Sequence, residues 1–124
     1  MAQVIVSVTL AASAERVWDF IGGFQSLAEW SSSIKTSLSE HGGRVRRLKT
    51  TDGAVIAERL QSYSEADKSY SYTIVSGPIP VKNYRSTLRV TGEPGATTCV
   101  AEWSSEFDAA EGVEEVMVGA FQHL

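Results

Sequence analysis

Glu58 carries the most chemical information in this sequence. It stands in Ala57-Glu58-Arg59-Leu60, within a stretch that alternates like a β-strand. A carboxylate on the inward face of a strand costs several kcal/mol unless it is paired or hydrated. Two readings stay open. Glu58 is either a ligand anchor or acid/base with a raised pKa, or the partner of a cation or ordered water across the sheet. Tyr84, in Asn83-Tyr84-Arg85-Ser86, offers a phenol that could orient a carbonyl or donate a proton, and Tyr70 and Tyr72 could do the same. Packing alone also explains tyrosines on a sheet face. Trp30, Trp103 and Phe121 supply apolar walls, for which core and pocket lining are nearly the same claim.

Other chemistries lack their residues. There is no glycine-rich phosphate loop, no nucleophile elbow and no histidine pair at metal-ligand spacing, so neither a cofactor nor a metal is expected. Cys99 is the one cysteine, without basic neighbours to lower its pKa, and reads as an inert buried thiol. His41 sits between turn residues and His123 near the chain end; both read as surface residues. A net charge of −4 argues against a nucleic-acid partner, which would need clustered Lys and Arg. The one basic run, Arg44-Val45-Arg46-Arg47-Leu48-Lys49, alternates along a strand and reads as a solvated face. No window reaches the roughly 18 to 20 apolar residues of a membrane span, so no stable membrane insertion is expected. The opening residues alternate like a strand rather than a secretory signal, which makes a cytoplasmic location the expectation.

The elements that must position these residues follow from periodicity. Residues 3–10 alternate with Val4, Val6, Val8 and Leu10 on one side. Ser13 reads as the N-cap of a helix carrying Val17, Trp18, Phe20 and Ile21, which stops at Gly22-Gly23. A second short helix runs from Phe24 to Trp30. Strands are then predicted over 34–39, 44–51, 54–63, 69–76, 81–91 and 97–108, separated by turns such as Asp52-Gly53 and Gly92-Glu93-Pro94-Gly95. After residue 112 the period changes, and Val113, Val116, Met117, Ala120, Phe121 and Leu124 form one helical stripe. The 124 residues suffice for one core, so a single domain over 1–124 is expected. The class is α+β: an antiparallel sheet of about seven strands with two short helices, and a C-terminal helix to cover its inner face.

This order, with Ala57-Glu58-Arg59-Leu60, the segment Ser76-Gly77-Pro78-Ile79-Pro80-Val81-Lys82-Asn83-Tyr84-Arg85-Ser86-Thr87, and Trp103-Ser104-Ser105-Glu106-Phe107-Asp108, resembles the polyketide cyclase/dehydrase and lipid-transport superfamily. START domains, Bet v 1-like proteins and the plant abscisic acid receptors are its relatives. The resemblance covers the whole chain and implies a helix-grip fold, a curved sheet around the C-terminal helix enclosing a cavity. It implies a ligand-binding set of Trp30, Glu58, Leu60, Tyr70, Tyr72, Ile79, Pro80, Tyr84, Ser86, Leu88, Trp103, Ser105, Phe107, Met117 and Phe121. The chain departs from the abscisic acid receptors: Ser31 stands where they carry an anchoring lysine, and Thr51-Asp52-Gly53 replaces their longer gating loop. The function implied is binding of a small hydrophobic molecule (lipid, polyketide, isoprenoid or aromatic metabolite), by a monomer or homodimer. The alternative is a cofactor-free polyketide cyclase, dehydratase or aromatase with Glu58 and Tyr84 as acid and base.

Overall fold

Seven antiparallel strands form one sheet in the order β1-β7-β6-β5-β4-β3-β2 in a computed structural model that describes residues 2–78 and 81–109. The strands are β1 (Ala2–Leu10), β2 (Ile34–Glu40), β3 (Val45–Thr50), β4 (Val55–Ser64), β5 (Ser69–Ser76), β6 (Val81–Thr91) and β7 (Cys99–Ala109). Consecutive strands from β2 to β7 are neighbours, and β1 closes the far edge by pairing with β7. The fold is the predicted α+β helix grip with its curved sheet. The C-terminal stripe, with Met117 and Phe121, lies outside the described residues, as do Ile79 and Pro80.

Local chemistry places the breaks. The β3–β4 hairpin turns at Asp52-Gly53, where Gly53 takes a φ of 95° and the Thr50 amide donates to the Ala54 carbonyl at 2.9 Å. The register shifts within β2–β3, β4–β5 and β6–β7 are bulges, which bend the strands they interrupt. At the β6–β7 bulge Asn83 adopts a φ of 54°, a conformation asparagine tolerates better than most residues, and its amide donates to the Asp108 carboxylate at 2.8 Å. The inserted residue restores alternation, so that Tyr84, Ser86 and Leu88 all reach the buried face.

Helix α1 (Ala14–Ile21) begins at Ser13, whose hydroxyl accepts from the Arg16 amide at 3.2 Å. It lays Ala14, Val17, Trp18 and Ile21 on the core. Gly22 caps its C-terminus, and only glycine fits there: a Cβ would come within 2.5 Å of the Trp18 ring. The predicted second helix is a 3₁₀ turn, Phe24–Ser26, running into one α-turn, α2 (Leu27–Trp30). Both pieces bury their apolar residues, Phe24 and Leu27.

One expectation fails. The basic run is not wholly a solvated face: Arg44, Arg47 and Lys49 are exposed, but Arg46 is 0% exposed and is among the largest fully buried side chains. Alternation separates Arg46 from Arg47 correctly. It does not say which side is inside, and a cation's preference for water points to the wrong one here.

Candidate functional site

The inner face of the sheet carries two different neighbourhoods. The first lies over β3, β4 and β5. Arg46 and Glu58 stand directly opposite one another in register, and Arg46 Nε donates to Glu58 Oε1 at 2.8 Å with both side chains buried. Nη1 donates to the Phe24 carbonyl at 2.9 Å and contacts the Tyr70 hydroxyl at 3.4 Å, while Nη2 is buried without a partner. The guanidinium lies 4.3 Å from the Phe24 ring centre and 4.7 Å from that of Tyr72, so two aromatic faces share its charge with the carboxylate.

The titration of the pair follows from that enclosure. Burial pushes the Glu58 carboxyl above its ordinary range, with Arg46 pulling in the opposite direction. Burial works against the Arg46 charge, but Glu58, Tyr70 and Tyr72 outweigh it and hold the guanidinium above its usual value. Of the two readings of Glu58, the structure gives the cross-sheet ion pair.

Beside this cluster, β5, β6 and β7 join in a hydroxyl and indole network. Trp103 Nε1 donates to Ser86 Oγ at 2.6 Å and to the Tyr72 hydroxyl at 3.0 Å. The Ser86 and Ser105 hydroxyls lie 3.0 Å apart, and those of Tyr84 and Ser105 3.3 Å apart. Burial raises the pKa of Tyr84 and of Tyr72, so both phenols stay protonated at neutral pH. Phe107 stacks on Tyr84, with ring centres 6.0 Å apart.

The second neighbourhood is a pocket of about 890 Å³ at the other end of the sheet. Its floor is Val6, Val8 and Leu10 of β1 with Ala101 and Trp103 of β7 and Leu88 of β6. Its roof is α1, through Arg16, Val17, Phe20 and Ile21, and Trp30 closes one side with its ring centre 5.8 Å from that of Trp103. Val8 and Phe20 are 51% and 58% exposed, so apolar side chains stand at the mouth of the pocket.

Of the residues expected to bind ligand, Trp30, Leu88 and Trp103 line this pocket. Glu58, Tyr70, Tyr72, Tyr84, Ser86, Ser105 and Phe107 are buried, and Leu60 half-buried, on the same inner face, but none of them belongs to the pocket's lining. The wall contributed by β1 and α1 was not anticipated. The signal was present in the sequence, because Val6, Val8 and Leu10 share a strand face and Val17, Phe20 and Ile21 recur at helical spacing. Cys99 is buried, and burial pushes its thiol above its ordinary value. Among the described residues no cluster of His, Cys, Asp and Glu could hold a metal ion, and no helix is long and apolar enough to cross a membrane.

Comparison with known proteins agrees with this architecture. An uncharacterised protein from Bacillus thuringiensis superposes with a TM-score of 0.91 at 36% identity, over 98% of this chain and 91% of that one. The protein XoxI from Bacillus cereus gives 0.90 at 38% identity, over 98% and 86%. A START superfamily protein from Mycobacterium smegmatis shares the fold at 16% identity, with a TM-score of 0.76 over 98% and 90%. No curated protein sequence matches the chain. The profile of the family described as polyketide cyclase / dehydrase and lipid transport matches residues 1–124 from end to end, and the chain belongs to that family.

Proposed function

We propose that this protein binds a small hydrophobic molecule in the pocket between β1, β7 and α1. The observation that carries the reading is the make-up of that pocket: about 890 Å³, walled by aliphatic and aromatic side chains, with apolar residues left exposed at its mouth. Pockets of roughly 300 to 1,000 Å³ with mostly apolar walls are the usual sites of small-molecule ligands. Exposed Phe20 and Val8 also gain burial when a ligand seats against them, each by an amount that scales with the apolar area covered.

The alternative, acid–base catalysis by Glu58 and Tyr84, would need these groups at a cavity wall. Glu58 is instead held by Arg46, and the Tyr84 hydroxyl faces Ser105. Nothing in their geometry favours that reading over binding.

Two tryptophans in the pocket wall provide the readout. Titration with an apolar probe such as 1-dodecanol, followed by tryptophan emission, should give a saturable change that is reduced in Trp30→Phe. Native mass spectrometry of protein purified from its own host should show a co-purifying small molecule. Absence of any saturable response together with an unliganded native mass would overturn the reading.

A further inference from the structure

The charges around the pocket are arranged unequally. Three of its described lining residues carry a charge or a hydroxyl: Ser7, Arg16 and Glu102. Ser7 and Glu102 are register partners on β1 and β7, and Arg89 on β6 is the next partner in that row. They alternate with Val6, Val8, Ala101 and Trp103, so the row of Ser7, Glu102 and Arg89 projects from the outer face of the sheet. The Glu102 carboxylate is therefore directed away from the pocket it helps to line, with a cation as its cross-strand neighbour.

Arg16 differs. It projects from α1, the roof of the pocket, and is exposed, and its side chain makes no hydrogen bond or ion pair among the described residues. Of the two charged residues in the pocket's lining, Arg16 and Glu102, it is the one that does not stand on the outer face of the sheet. The pocket also has a direction. At one end stand exposed Arg16, Phe20 and Val8, and at the other Leu88 and Trp103, 2% and 6% exposed. A cation at the mouth and apolar walls in depth describe a molecule with an anionic head and an apolar body.

Resting on the binding reading above, we propose that the ligand is an amphiphile bearing a single carboxylate, which Arg16 holds at the mouth while the apolar body runs inward toward Leu88 and Trp103. A lone guanidinium matches one carboxylate in a bidentate pair. A phosphate head, carrying a charge of about −1.5 to −2, would be only partly neutralised by one guanidinium.

The experiment compares dodecanoate with 1-dodecanol, two probes of equal chain length, below their aggregation limits at pH 7 and low salt. Calorimetric titration of the wild type should show dodecanoate binding about tenfold tighter than the alcohol, the size expected of a charge-assisted contact at a partly open site. Arg16→Gln should erase that preference by bringing dodecanoate down to the alcohol's affinity in the same variant, and Arg16→Lys should keep part of it. The preference should also shrink as salt rises, since the contact lies at the mouth. Equal affinities for the two probes in the wild type, or a preference that survives Arg16→Gln, would overturn the assignment of the carboxylate to Arg16 while leaving apolar binding intact. If neither probe binds, the pocket reading falls and this one with it.

Discussion

The inner face of the sheet is filled at one end and open at the other. Over β3, β4 and β5 a buried ion pair, two tyrosines and Phe24 occupy the interior, and almost every polar atom there is already engaged. Over β1, β7 and α1 the surface is aliphatic and aromatic, and it borders empty space. The difference separates two kinds of residue that a family resemblance groups together. Polar side chains on the concave face can serve the protein's own cohesion, and the place for a ligand can then be the region with the fewest polar atoms. Family membership transfers the architecture; the occupancy of each half depends on which side chains this chain puts there.

The contrast predicts an ordered series of effects. Glu58→Gln should be the most damaging change, because it leaves the Arg46 charge buried without its counter-ion; a loss of about 3–5 kcal/mol is expected in urea unfolding. The double change Arg46→Met, Glu58→Leu should recover much of that loss, and failure to do so would mean that the pair does more than neutralise itself. Ser86→Ala comes next. It removes an acceptor of the Trp103 indole and a neighbour of Ser105, for an expected loss of about 1–3 kcal/mol.

Glu65 supplies a smaller effect with a distinct pH signature. Its carboxylate accepts from Trp18 Nε1 at 2.9 Å and from the Tyr63 hydroxyl at 2.8 Å, tying α1 to the end of β4, and those bonds hold its pKa below the ordinary glutamate value. A depressed folded-state pKa contributes stability that is present above the unfolded value and lost as pH falls through the folded one. Glu65→Gln should therefore destabilise at neutral pH and match the wild type in strong acid, as read from thermal melts across that range. A constant gap at all pH values would assign the effect to packing instead. The least damaging changes should be Val8→Ser and Phe20→Ser, which alter stability by no more than about 0.5 kcal/mol. The same two changes should weaken probe binding by about fivefold to tenfold, through the apolar contact they remove. Stability loss at these positions equal to that of Ser86→Ala would erase the distinction between the two halves.

Much of this was legible in the residues. The seven strands, the Ser13 cap, the stop at Gly22 and the Asp52-Gly53 turn all follow from period and turn chemistry, since each depends on neighbours close in sequence. The Arg46–Glu58 pair was legible as well, but only by counting outward from the turn. The hairpin sets Lys49 against Val55, Leu48 against Ile56, Arg47 against Ala57 and Arg46 against Glu58, so an inward Glu58 requires an inward Arg46. The positive charge of the run points it toward solvent, and its alternation does not say which side is inside. The pocket was the least legible part, because its walls come from β1, α1 and β7. Where a helix settles over a sheet depends on side-chain volumes rather than on a repeat in the sequence.

The partner of β1 has a consequence for how the protein is made. Among the described strands Ala2–Leu10 pairs with Cys99–Ala109 alone, so β1 waits for a partner that lies far downstream in the chain. On the ribosome the hairpins from β2 to β6 can zip up in order of emergence, while β1 stays unpaired with Ile5 and Val8 uncovered. The pocket floor is assembled by that pairing, and a nascent chain therefore has no binding site until β7 has been synthesised.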